Sequence, residues 1–275
     1  MYESHWNLDG RPFENWCDPR FYYPSEVHQT ALWKLRYAVE SRRAAVALCG
    51  DSGMGKSMLL DALASELPET FAPVARIGFP QLRGDQLLGY VTDELSGETG
   101  GNDEPPRASL RRLDQFLASN VEAGRHAVLL VDEAHLLTAA DQLETLRLLL
   151  NVQREQASAE AAWTLVLVGH ATLFSVIERN RALDERMSVK CVLPRLPREA
   201  TTAYLQHRLQ VVGGVLEEVM TPAAIEAIHL RSGGNPRRIN RLADLGLMVG
   251  YAEDLRRIDA AEIDGVYQEL LTAAA

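Results

Sequence analysis

Five short, largely apolar runs punctuate the first two thirds of the chain, at 44–49, 74–77, 127–131, 163–168 and 189–193. Runs of this length and composition read as strands of a buried parallel sheet. Between them Leu, Val and Ile recur every three or four residues, the spacing of a helix with one apolar face. Ser25 is placed to cap a helix running to about residue 43, with Leu32, Leu35 and Val39 on one side. Residues 58–67 carry Leu59, Leu60, Leu63 and Leu67 and are closed by Pro68, and residues 85–96 carry Leu88, Val91 and Leu95. Leu110, Leu113, Leu117 and Val121 mark a further helix ended by Gly124, and a long one is expected over 139–156 with Leu143, Leu146 and Leu150 inward. Strands alternating with helices predict an α/β fold, a parallel five-stranded sheet sandwiched between helices by right-handed crossovers.

The pattern changes at Pro194, beyond which only helical periodicity is found. One helix is expected over 197–212 and ends at Gly213-Gly214; Thr221-Pro222 opens the next as cap and first residue, and Gly233-Gly234 ends it. A third covers 236–249, and Asp259 with Glu262 forms a capping box for the last. A boundary near residue 195 therefore predicts an α/β domain over 1–195, with residues 1–24 as an irregular lead-in, and an all-helical domain over 196–275.

The first predicted strand runs into Gly50-Asp51-Ser52-Gly53-Met54-Gly55-Lys56-Ser57, which fits G-x-x-x-x-G-K-[ST] at all four fixed positions. A helix starting near Met58 follows it. Glycines let backbone N–H groups turn inward and the helix N-terminus favours negative charge, so strand, loop and helix form a cradle for phosphates. Lys56 is expected to reach the β and γ phosphates and Ser57 to ligate Mg²⁺. The third strand ends in Asp132-Glu133. A carboxylate at the tip of a buried strand next to such a loop suits Mg²⁺, and Glu133 is placed to polarise an attacking water. No guanine-reading N-K-x-D occurs, so ATP is the expected nucleotide. Asp132-Glu133-Ala134-His135 also spells the DEAH box of superfamily-2 helicases, which need two tandem domains where this chain has room for one.

Three further positions carry candidate chemistry. His170, at the end of the fourth strand, is a candidate sensor of the γ-phosphate, with a helix-capping or core role as the alternative. Arg186, just before the fifth strand, is a candidate arginine finger for a neighbouring protomer, with Arg181 as runner-up. Arg237, at a helix start in the all-helical part, is a candidate γ-phosphate contact.

Bulk properties narrow the classes. A net charge of −10 argues against a surface that binds nucleic acid throughout, though arginines cluster locally at 107–112 and 231–241. Neither a signal peptide nor a stretch of about 18 apolar residues is found, so no membrane span is expected. Cys17, Cys49 and Cys191 are too few and scattered for a disulfide framework, which fits the cytoplasm, and Cys49 and Cys191 read as small core residues.

The phosphate loop and Val131-Asp132-Glu133-Ala134 are accompanied by Pro12-Phe13, Asp18-Pro19-Arg20-Phe21-Tyr22, Leu146-Arg147-Leu148-Leu149-Leu150-Asn151, Leu165-Val166-Leu167-Val168-Gly169 and the run from Ser232 to Leu242. Together these resemble the AAA+ ATPases of the ExeA/GspA type, associated with general secretion and related to TniB-type transposition ATPases. The resemblance spans nearly the whole chain. It implies a P-loop NTPase (AAA+) αβα sandwich with a C-terminal helical lid, ATP with Mg²⁺ at protomer interfaces, and assembly of the chain with itself into rings or filaments. It also implies hydrolysis that drives or gates assembly with a protein partner, a phosphate-contacting set running from Gly50 to Met58, and an adenine lying near the stretch from Phe21 to His28, Tyr22 and Tyr23 included. A transposition-type member would instead load on duplex DNA and recruit a recombinase; a nucleotide-gated scaffold with negligible turnover is a third reading. Two departures stand out: His170 takes the place where the family usually has Gln, and the sequence runs to Ala275 without the membrane span and peptidoglycan-binding region of the secretion members, which shifts the expectation away from secretion itself.

Overall fold

The computed structural model describes residues 1–15, 18–100, 104–152 and 161–272. Five strands, β1 (Ala45–Cys49), β2 (Val74–Ile77), β3 (Ala127–Val131), β4 (Trp163–Gly169) and β5 (Met187–Val192), form one parallel sheet in the order β2-β3-β4-β1-β5. Every residue of β1, β3 and β4 is buried, as their unbroken apolar runs require. The edge strands β2 and β5 alternate instead, which is why Arg76 and Lys190 are tolerated in them. Because β4 lies between β1 and β3, the strand ending in Asp132 is one strand removed from the strand that feeds the phosphate loop, not its direct neighbour.

The helices are α1 (Glu26–Glu40), α2 (Lys56–Glu66), α3 (Gly84–Ser96), α4 (Pro106–Glu122), α5 (Ala140–Leu149), α6 (Leu173–Glu178), α7 (Arg181–Asp184), α8 (Arg198–Gln210), α9 (Leu216–Val219), α10 (Pro222–Ser232), α11 (Pro236–Ala252) and α12 (Ala260–Thr272). Three departures from the expected pattern have local causes. The helix after the phosphate loop begins at Lys56 rather than Met58, so the loop runs directly into it. On α4, Leu113 and Leu117 are buried but Leu110 and Val121 stay exposed, at 42% and 44%. At 100° per residue those two sit about 60° and 80° round the helix from Leu113. Ser109 and Asn120 lie closer to the buried direction and take the inner face, Asn120 donating to the Ala72 carbonyl at 2.9 Å. Helix α5 stops at Leu149 and turns at Asn151 and Val152, short of the expected residue 156; 153–156 lie outside the described residues.

The chain divides into two compact units, each with its own core. The sheet unit comprises Thr30–Ser52 and Leu59–Leu193. The helical unit comprises Met1–Gln29, Gly53–Met58 and Pro194–Ala275. In the helical unit the lead-in is tied down: Trp6 Nε1 donates to the Leu247 carbonyl at 3.0 Å, and the buried Arg208 donates to the carbonyls of Pro12 and Glu14 at 2.5 and 2.6 Å. Its guanidinium also lies 4.4 Å above the Phe21 ring, a cation–π contact. Thr221 caps α10 by accepting from the Ala224 N–H at 3.1 Å, and the Asp259 N–H donates to Glu262 at 2.7 Å, one of the two bonds of the expected capping box. Cys49 and Cys191 are buried free thiols in the sheet unit; Cys17 lies outside the described residues. No helix among the described residues is long and apolar enough to cross a membrane.

Candidate nucleotide-binding site

In the helical unit, the segment Gly53–Met58 carries the second half of the phosphate loop. Gly53 and Gly55 have φ of +81° and +85°, a region that L side chains rarely adopt. A Cβ on Gly53 would come within 2.5 Å of Arg237 Cβ and 3.0 Å of Asn235 Oδ1; one on Gly55 would come within 3.2 Å of His28 Nε2. The two glycines are therefore demanded by conformation and by space, and they leave a loop of bare backbone ahead of Lys56, the first residue of α2. Arg237 meets this loop through its main chain, its N–H donating to the Gly53 carbonyl at 3.2 Å. It stands at the second position of α11, whose cap Asn235 accepts from the Arg238 N–H at 3.2 Å and places its amide 3.6 Å from Met54 Sδ. His28 Nε2 lies 2.9 Å from the Met54 carbonyl. Tyr23 packs on Tyr204 and His207 of α8, with ring centroids 6.1 and 5.7 Å apart, and Tyr22 precedes it at the end of a short 3-10 turn.

In the sheet unit, Gly50 leaves β1 with its N–H donating to the Gly169 carbonyl at 3.2 Å, and Asp51 and Ser52 follow. Asp132 is 5% exposed and receives Arg76 Nη2 on Oδ2 at 2.7 Å, while Arg76 Nη1 reaches Asp61 at 2.5 Å. The other oxygen of Asp132 accepts from the Glu133 N–H at 2.9 Å. Glu133 sits at φ +50°, left-handed for a residue that has a Cβ, at a cost of about 1–2 kcal/mol. Its carboxylate is half exposed and lies 3.3 Å from His135 Nδ1. The same Nδ1 lies 3.3 Å from the His170 N–H. One nitrogen holds at most one proton, so bare Nδ1 accepts from His170 and protonated Nδ1 donates to Glu133. The His135 and His170 ring centroids are 5.8 Å apart.

Arg186 is held within its own unit, with Nη1 donating to the Arg147 carbonyl at 3.0 Å and Nη2 to Asn151 Oδ1 at 2.7 Å. Arg181 is 90% exposed and pairs with Glu185 one turn away at 3.0 Å. The helical unit thus brings together Gly53–Met58 and Arg237, and the sheet unit brings together Gly50, Asp132, Glu133 and His170; within the sheet unit Arg186 is bonded near the C-terminal end of α5 and Arg181 lies on α7. Sequence reasoning missed Arg76, His135 and Asn235. Arg76 carried a signal, a charge inside an otherwise apolar strand, and Asn235-Pro236 was legible as a cap followed by a first-turn proline.

Comparison with known proteins follows the same lines. Residues 39–177 match the family model described as "AAA domain". General secretion pathway protein A of Aeromonas hydrophila is 32% identical over 98% of this chain, and the chain spans about half, 50%, of that protein. Among solved structures, the ORC2 protein of Aeropyrum pernix in its ADPNP-ADP complexes superposes with a TM-score of 0.66 at 17% identity, covering 95% of this chain and 72% of that one. Cdc6p of Pyrobaculum aerophilum superposes with a TM-score of 0.68 at 17% identity, covering 90% and 67%. At these identities the two structures speak to the fold alone.

Proposed function

Because the chain belongs to the AAA domain family, we propose that it binds ATP with Mg²⁺, hydrolyses it at the interface between protomers, and uses the cycle to drive or gate assembly with a protein partner. The observation that carries this reading is the glycine pair at 53 and 55, held at positive φ by neighbours that leave no room for a Cβ, directly ahead of Lys56 at a helix start. Such a loop can turn its N–H groups toward phosphate, and a lysine there adds the cation. In this proposal residues 1–195 act as the nucleotide-binding domain and 196–275 as the helical lid.

Gly50 to Met58 take the phosphates, with Lys56 on the β and γ groups, and Tyr22 and Tyr23 lie toward the adenine. Ser57 and Asp132 offer the hard oxygen donors that Mg²⁺ selects, and the ion would supply charge neutralisation of the β and γ phosphates. Glu133 takes a proton from the attacking water; its exposure suits a group that must meet solvent, and its strained backbone is the kind of cost kept at reacting positions. His170 and Arg237 read the γ-phosphate. Arg186 completes the site of an adjacent protomer, which requires it to leave Arg147 and Asn151.

Subunit mixing tests the reading. Arg186→Ala is expected to bind ATP near normally and to lose most hydrolysis, on the order of 10³ for a finger supplied in trans. Lys56→Ala is expected to bind no ATP. Mixed at concentrations that permit oligomers, the two should regain activity, since one donates a pocket and the other an arginine. No recovery, with Arg186→Ala at full rate, removes the trans finger and moves attention to Arg181. Absence of any ATP hydrolysis by the native chain, with tight ATP binding, would favour the scaffold reading, and stimulation by duplex DNA the transposition-type one.

A further inference from the structure

We propose that His28 is a positioning residue of the phosphate loop, which pins the Met54–Gly55 peptide in the orientation that phosphate binding needs. The inference rests on the phosphate-loop reading above and goes beyond it, since the resemblance to relatives points this stretch of chain at the adenine.

His28 is 6% exposed, and its ring nitrogens meet two groups in its own unit: Met54 O, 2.9 Å from Nε2, and Ser25 Oγ, 2.6 Å from Nδ1. A carbonyl only accepts, so Nε2 carries a proton. Burial lowers the pKa of the ring and favours its neutral form. Nδ1 is then bare and accepts the Ser25 hydroxyl. Ser25 is itself 2% exposed and stands just before α1, with the His28 N–H at 3.5 Å from its oxygen. The tautomer is thus set by the acceptor-only Met54 carbonyl, and the Ser25 hydroxyl supports it by donating to the bare Nδ1.

What that donor holds matters because a trans peptide points its C=O and its N–H in opposite directions. Fixing the Met54 carbonyl toward His28 directs the Gly55 N–H away from it. Met54 stands between two glycines at positive φ, where a peptide can flip at little steric cost. The neighbouring peptide is held in the same manner, its Gly53 carbonyl accepting the Arg237 N–H. Two successive N–H groups of the loop are therefore oriented by donors on their carbonyls. The imidazole also fills the space over Gly55, where a Cβ would come within 3.2 Å.

The test compares His28→Gln, whose amide N–H reaches about as far as Nε2, with His28→Leu, which fills space but donates nothing. Affinity is read by titration with a fluorescent ATP analogue, and folding by the melting temperature without nucleotide. The leucine variant is expected to raise Kd about tenfold or more, the range for a buried carbonyl left without its donor, while glutamine stays within about threefold of the native chain. Equal melting temperatures for the two, with the nucleotide-induced rise kept only by glutamine, separate positioning from general packing. Native affinity in the leucine variant, or equal losses in both, overturns the proposal. Should the leucine variant not fold, Ser25→Ala keeps the ring and removes the hydroxyl that holds Nδ1; a Kd rise of about threefold or more supports the proposal and an unchanged Kd overturns it. Lys56→Ala runs in parallel. If it binds the analogue normally, the phosphate-loop reading fails; if it does not bind while His28→Leu does, only the role of His28 fails.

Discussion

The helical unit and the sheet unit hold their polar groups by different means. In the helical unit, Gly53 and Met54 are held through main-chain carbonyls, by the Arg237 N–H and by the His28 ring. In the sheet unit, Asp132 and Glu133 are held by side chains that carry or can take charge, Arg76 and His135. A carbonyl held by a directional donor fixes a conformation, whereas a carboxylate held by an arginine gains a charge-assisted hydrogen bond. The first arrangement shapes a surface; the second places the two acids. Perturbing the helical unit should therefore show in nucleotide affinity, and perturbing the sheet unit in turnover or in the response to pH.

The sharpest contrast sets Lys56→Ala against Glu133→Gln. The lysine variant is expected to lose ATP binding outright, while the glutamine variant binds ATP and hydrolyses it on the order of 10² more slowly or less still. Calorimetric titration and phosphate release, measured side by side, check both, and loss of ATP affinity in Glu133→Gln would erase the division of labour.

A smaller effect belongs to the sheet unit alone. His126 is buried against Thr164 Oγ1 at 2.8 Å, and burial, aided by the nearby charge of Arg42, pushes its pKa down to about 4. The unfolded chain titrates near 6.5, so it binds the proton first as pH falls. Stability is full above about 6.5 and declines toward pH 4, by as much as about 3 kcal/mol for this one group. Urea unfolding at pH 7 and 4.5 should show that decline in the native chain and a weaker one in His126→Gln, an uncharged replacement.

The smallest concerns Gly53. Alanine there must hold a left-handed φ and displace Arg237 Cβ, so Gly53→Ala is expected to cost about 1–2 kcal/mol in stability from the backbone term and to weaken ATP affinity. Thermal unfolding with and without ATP checks it; a native nucleotide-induced shift would show that the contact with α11 does not shape the loop.

Much of this was legible along the chain because the signals are local. Buried strands must be apolar throughout, a phosphate loop must put glycine where φ is positive, and a helix must start on a cap, so β1, β3 and β4, the stretch from Gly50 to Ser57, and the caps at Thr221 and Asp259 could be read residue by residue. Periodicity failed where two faces competed, as on α4, where counting apolar residues chose Leu110 and Val121 while the buried face took Ser109 and Asn120.

By itself, then, the sequence determined the strand–helix alternation, the phosphate loop, and the acidic pair at the end of β3. Only the tertiary structure decided that β4 separates β3 from β1, that Arg76 rests on Asp132 across 56 positions of chain, and that His28 reaches Met54 across 26. A hydrophobic run is imposed by burial wherever the strand is placed, so it leaves its mark on neighbouring residues. A hydrogen bond between distant residues depends on two side chains meeting in one direction at about 3 Å, and nothing in the residues between them records that meeting.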